Sequence, residues 1–181
     1  MLASSALLFA STSAVLAHDK APDATRVDPC QSYEQDVRED LRLLAVAPSP
    51  IDASRSPANA ARLALAQAGD LRLAPQASAV LAVTPERPMM DEGSYAGVVT
   101  LQIEAPGRYR VSVGTHFWVD LIDGDGAVLD SVLFAGRSEC KPLAKLVEYD
   151  VRKPGTYTLQ LTGGPTPSAR VVVRQVGPAT Q

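Results

Sequence analysis

A chain of 181 residues, 46% hydrophobic and 20% charged, has the length and composition for one domain with a real core, and is too short for two substantial ones. Its 17 basic and 20 acidic side chains leave a net charge of −3 without any basic run. That balance argues against nucleic acid, and against an anionic membrane surface, as partners.

Residues 1–17 have the form of a secretory signal, with an apolar run at 6–10 and the small-residue exit Val15-Leu-Ala17 before the first charges, although no Lys or Arg follows Met1. The segment is too short to span a bilayer as a helix, so no transmembrane segment is expected after its removal. Cleavage after Ala17 would make His18 the first residue and place the protein in the periplasm or outside the cell. Residues 18–60 then read as leader, helix and connector, and residues 61–181 as a β-sandwich domain.

The leader, 18–27, is polar and aperiodic. Asp28-Pro29 supplies an N-cap and a first-turn proline. Tyr33, Val37, Leu41 and Leu44 then lie on one stripe of an amphipathic helix expected over about 31–46 and stopped by Pro48 and Pro50. Residues 47–60 are a proline- and serine-rich connector, and the alanine-rich stretch 61–69 suits a short helix or a strand equally. Strands are expected at 71–73 and 79–83. The loop 84–93 carries Met89-Met90, which either cover an end of the sandwich or offer an adhesive surface.

Further short strands follow at about 97–104, 108–113, 117–122, 127–134, 145–151, 156–162 and 169–176, without intervening helices. The expected fold is therefore mainly β, an antiparallel β-sandwich of jelly-roll or immunoglobulin-like kind with one N-terminal amphipathic helix. Within this run one pattern occurs twice. An alternating strand, a Pro-Gly pair and a second alternating strand span 99–113, and the same order returns at 147–161. Pro106-Gly107 and Pro154-Gly155 suit a type II turn, so each copy reads as an antiparallel hairpin. In the first copy Val99, Leu101, Ile103, Tyr109, Val111 and Val113 face a core, and Thr100, Gln102, Glu104, Arg110 and Ser112 face water. The repeated Tyr109 and Tyr157 resemble the corner tyrosines of β-sandwiches, whose rings are buried and whose hydroxyls bond nearby backbone.

Cys30 and Cys140 are the two cysteines. In an exported chain one disulfide is the first expectation; two buried thiols or half of a metal site are the alternatives. The strand 117–122 concentrates the residues best suited to binding. If Phe117, Val119 and Leu121 face the core, then Trp118, Asp120 and Ile122 share the other face, with His116 at the strand's start. His116, Trp118 and Asp120 are thus the candidate ligand-binding residues, the indole stacking on a sugar ring or a partner's side chain. The competing expectation is that the N-terminal helix covers this face and Trp118 joins a second core. Asp123-Gly-Asp125-Gly126 reads as a turn ahead of calcium, because a calcium site needs more oxygens than this spacing brings.

Catalytic patterns are scarce. No GxSxG and no glycine-rich phosphate loop occurs, and neither histidine stands beside a nucleophile motif. Mononuclear iron would need two histidines and a carboxylate, which here means His18 together with His116. The same pair suggests a copper site of the histidine-brace kind, in which a terminal His18 chelates through its amine and imidazole and His116 supplies the third nitrogen.

Trp118-Val-Asp120, Cys140, Lys145-Leu-Val-Glu-Tyr149 and Pro154-Gly155-Thr-Tyr157-Thr-Leu-Gln-Leu-Thr-Gly163 resemble a family of small exported bacterial proteins. In that family an early cysteine, matched here by Cys30, and a proline- and alanine-rich stretch precede a β-rich half; the likeness covers about residues 28–174. Members often carry the label homogentisate 1,2-dioxygenase, which implies iron, while that enzyme's iron-binding His and Glu motif is absent from this sequence. The β-rich half is also similar to pre-peptidase C-terminal domains, non-catalytic appendages of secreted enzymes. Taken together, the expectation is an exported, disulfide-stapled module that binds a glycan, an envelope component or a protein without a cofactor. An iron-dependent dioxygenase or a copper-binding histidine brace is the alternative.

Overall fold

A computed structural model describes residues 28–85 and 93–180. The signal-like residues 1–17, the stretch read as a leader with His18, and the Met89-Met90 pair lie outside these residues. Two sheets face each other, built from β1 (Ser49–Asp52), β2 (Gly69–Arg72), β3 (Ala74–Pro75), β4 (Tyr95–Ile103), β5 (Gly107–Val113), β6 (Trp118–Ile122), β7 (Ser131–Gly136), β8 (Lys145–Val151), β9 (Gly155–Gly164) and β10 (Ser168–Gly177). The larger sheet runs β1-β2-β10-β5-β8-β7 and the smaller β3-β4-β9-β6. Every pairing is antiparallel except β1 with β2, which is parallel. One α-helix is present among the described residues, α1 (Arg38–Ala45).

The repeated pattern is not a pair of hairpins. β4 pairs with β9 in the small sheet, and β5 pairs with β8 in the large one, so each Pro-Gly link carries the chain from one sheet to the other. The two copies pair reciprocally: Val99 lies opposite Leu159 and Val111 opposite Val147, while Leu101 meets Tyr157 and Tyr109 meets Tyr149. The repeat is therefore an approximate two-fold across the sandwich, with Val99, Leu101, Val111, Val147, Leu159 and Leu161 meeting in one core. A type II turn would hold its glycine near φ +80°. Gly107 has no positive φ, and Gly155, at φ 154°, is nearly extended; each opens a strand instead. The tyrosines behave alike. Tyr109 donates its hydroxyl to the Ala105 carbonyl and Tyr157 to that of Lys153, each four residues back and each at 2.9 Å. Tyr149 joins the layers by donating to the Val119 carbonyl at 2.7 Å.

Four local expectations change. β1 lies inside the stretch read as a connector; its Pro50 is tolerated because β1 is an edge strand that need not donate outward. The sandwich thus begins before residue 61. The apolar run 79–83 is not a strand. Its backbone is held by one side chain, the Gln160 amide, which accepts from Ala82 N and Val83 N and donates to the Val83 carbonyl. Of the stretch 61–69, only Gly69, which opens β2, lies in a named element: Arg62 makes an isolated bridge to Thr100, and Ala66 turns the chain at φ 55°. The strand expected at 127–134 divides, since Val128 bridges to Ile122 of β6 and the chain then crosses to the large sheet as β7.

The N-terminal segment covers the outer face of the large sheet. Asp28 caps a short 3-10 turn (Pro29–Ser32) by accepting from Cys30 N, and α1 begins only at Arg38. The stripe expected through Tyr33, Val37, Leu41 and Leu44 therefore does not run on one continuous helix; Leu43 and Leu44 are buried and Leu41 is half-buried. A Cys30–Cys140 disulfide ties this segment down across a sequence separation of 110 residues. A cross-link closing so long a loop stabilises by about 2–5 kcal/mol. Beneath it Tyr33, Val37, Leu43, Leu44, Leu146 and Val172 form a second core.

Candidate functional site

The alternation of β6 puts Val119 and Leu121 in the main core, which leaves Trp118, Asp120 and Ile122 on the outer side of the small sheet. Phe117 seats the strand: its ring packs where a side chain on Gly164 would stand, 1.6 Å from an added Cβ, so only glycine fits there. Trp118 and Asp120 are brought together, the indole N–H donating to the Asp120 carboxylate at 2.8 Å. Register places Gln160 directly opposite Asp120, and its amide donates to the other carboxylate oxygen at 3.2 Å. That same amide holds residues 82 and 83.

The face expected to be open, or covered by the helix, is thus covered by the segment 79–85, while the helix lies over the other sheet. Asp120 is 7% exposed and Trp118 half-buried. Lys145, from β8, donates to the Phe117 carbonyl at 2.7 Å and stands 5.6 Å from the centre of the Trp118 ring. Burial pushes the Lys145 ammonium below its ordinary value, opposed by the Asp120 charge. Burial, and then Asp120, raises the Tyr149 phenol. His116 stands apart from the pair, exposed at the start of β6, its ring over Gly136 at the end of β7.

Chemically this arrangement orients and packs. The Asp120 carboxylate is engaged by two donors, and among the described residues no hydrogen bond joins His116 to a carboxylate or to a hydroxyl nucleophile. Asp123 accepts from the backbone N–H groups of Asp125 and Ala127, and Gly126 takes φ 86°, as a turn requires. Among the described residues no three of His, Cys, Asp and Glu come together as metal ligands. His116 is the one histidine there, and His18, the other member of the expected iron or copper pair, lies outside the described residues.

A second cluster, under α1, was not foreseen. Arg110 faces Glu148 across β5 and β8 and Arg174 across β5 and β10, so two guanidinium groups stand side by side on a buried face. Asp40 of α1, fully buried, accepts from Arg110 at 2.8 Å, Ser112 at 2.7 Å and Arg174 at 2.5 Å. Arg110 also donates twice to Glu148 and once to the Asp36 carbonyl. Burial alone would raise the Asp40 carboxyl, but hydrogen bonds from Arg174 and Ser112 and the two positive charges outweigh it and hold it below the ordinary value. This network anchors the helix. The alternation of β5 marked Arg110 and Ser112 as outward-facing, yet they are buried because the helix covers them.

The most exposed large apolar side chain lies elsewhere. Phe134 on β7 is 75% exposed, and Val128 and Val132 are 49% and 45% exposed beside a hollow of about 430 Å³. Register explains the exposure. Phe134 lies opposite Val147, which faces the main core, so its ring points inward; but the small sheet ends at β6, over β8, and β7 projects beyond it. Sequence could have flagged this stretch: Val132-Leu133-Phe134 is apolar on both faces, and one sandwich core covers only one. Compared with protein-family models and with curated proteins, the chain matches none.

Proposed function

We propose that the protein is a non-catalytic, extracytoplasmic β-sandwich, of jelly-roll or immunoglobulin-like kind, that recognises a protein partner through the projecting strand β7. The observation that carries this reading is Phe134, the most exposed large apolar side chain among the described residues, on a strand with a neighbour on one side only. Aromatic rings in such positions are the anchors of protein interfaces. Trp118 remains the candidate for a sugar, but Lys145 lies against its ring and Asp120 takes its N–H, so Phe134 presents the freer aromatic surface. Export is supported by the signal-like residues 1–17 and by the disulfide, which suits an oxidising compartment.

The test is site-specific photo-crosslinking in cells exporting the protein, with a benzophenone side chain in place of Phe134 and, as control, of the exposed Val46. A discrete adduct from position 134 alone is expected. No adduct, or the same smear from both positions, would overturn the reading. Stoichiometric iron or copper in the purified protein would overturn its non-catalytic part, and an N-terminus other than one produced near Ala17 would overturn export.

A further inference from the structure

The edges of the two sheets are guarded unequally. β1 is four residues long and contains Pro50, and β3 is two residues long and ends in Pro75. β6 has its outer side occupied by Val128 and Leu129, and Lys145 caps the Phe117 carbonyl. Short length, proline and cover are the usual protections of an edge against pairing with another chain. β7 has none of these: its six residues, Ser131–Gly136, contain neither proline nor charge, and among the described residues no strand lies beyond it. A register shift between Ser131 and Leu133 is its one irregularity.

The charges at the ends of β7 say what suits it. Asp130 precedes the strand and Arg137 follows it. Leu133 and Ala135 lie opposite Glu148 and Leu146 on the outer face. Arg137 reaches the Ser32 carbonyl of the N-terminal segment on that side. Alternation from Ser131, opposite the inward Tyr149, puts Asp130 on the outer face as well. A second β7 laid antiparallel would bring its Arg137 to this chain's Asp130 and the reverse; laid parallel, it would set like charges together. Antiparallel pairing about a two-fold axis also places the two Phe134 rings on one side of the joined sheet, each covering apolar surface the other leaves exposed.

We infer that the partner at β7 is a second copy of this chain, the two β7 strands pairing antiparallel so that the large sheets continue into one another. This rests on the reading of β7 as the binding surface. Sedimentation of the whole exported protein at concentrations up to about 100 µM should show a reversible dimer, with Phe134→Lys weakening it at least about tenfold. Because Phe134 is exposed in the single chain, that variant should melt at the wild-type temperature when both are diluted until they are monomers. Asp130→Arg and Arg137→Asp should each weaken self-association, and an equimolar mixture of the two should recover a heterodimer, since both end contacts are then between opposite charges. A monomer throughout the range, or a dimer indifferent to Phe134→Lys and to the charge variants, overturns the inference. If the wild type is monomeric while position 134 still crosslinks one discrete other protein, the second copy is refuted and the binding surface stands; if it is monomeric and crosslinks nothing, both fall.

Discussion

Over the large sheet lies a helix that brings a charge of its own; over the small sheet lies irregular backbone gripped by a glutamine. Both outer faces bury polar groups, Arg110, Ser112 and Glu148 on one and Asp120, Gln160 and Thr162 on the other. The solutions differ because the groups differ. Two adjacent guanidinium groups require a counter-charge, which Asp40 supplies together with the carboxylate of Glu148. An amide can satisfy a passing backbone by itself, so Gln160 needs no second element of regular structure. The lesson is that a cover held by charge depends on its anchor more steeply than one held by a neutral amide.

The largest expected effect comes from removing that anchor. Asp40→Ala leaves Arg110 and Arg174 side by side with the one carboxylate of Glu148 against their two charges and should cost about 3–5 kcal/mol in urea unfolding; a cost under about 1 kcal/mol would show that water replaces the carboxylate without difficulty. Reduction of Cys30–Cys140, or Cys30→Ser with Cys140→Ser, should cost about 2–5 kcal/mol. Hydrogen exchange should then rise over 29–45 and remain slow in β4 and β9, since the disulfide belongs to one cover only. Gln160→Ala should cost about 1–3 kcal/mol and speed exchange at the amides of Ala82 and Val83 while α1 stays protected. Equal loosening of both covers would contradict their independence.

Acid should separate the two faces as well. The Asp40 carboxyl sits below its ordinary value of 3.8 in the folded protein. Its contribution is therefore complete above that value and is lost as pH falls through the lower, folded one. Stability against pH should consequently fall more steeply below about pH 4 in the wild type than in Asp40→Asn. The smallest effect is expected at the rim, where Arg108 pairs with Asp150, whose carboxyl is lowered to about 2 chiefly by that hydrogen bond. Asp150→Asn should cost no more than about 1 kcal/mol, because such partly exposed pairs are screened by solvent.

Much of the main core was legible residue by residue. Leu101, Tyr109, Val111 and Tyr157 alternate with polar neighbours, and they are buried as alternation requires. Other features resisted reading because their local signal has two physical meanings. The apolar run 79–83 looks like a strand, yet an apolar stretch can equally be a cover whose backbone a side chain satisfies. Pro50 and its neighbours look like a connector, yet proline is harmless on an edge. For the candidate site, the sequence placed Trp118 and Asp120 on one side of β6, whereas nothing local revealed that Gln160, forty residues on, would engage both Asp120 and the covering segment.

What the sequence determined by itself was set by steric and solvation rules acting over a few residues: the positions of most strands, the side of each that meets the core, and the bonding of the two corner tyrosines to nearby backbone. Tertiary structure decided which strands are neighbours. Pro106-Gly107 and Pro154-Gly155 permit a hairpin or a crossing, and the crossing prevails here because each copy of the repeat pairs both its strands with the other copy, closing one core between two sheets. It also decided the fate of the outward residues. Register alone sets Arg110 between Glu148 and Arg174 and so creates the charge that Asp40 meets, and the unequal number of strands in the two sheets leaves Phe134, inward by its alternation, in water.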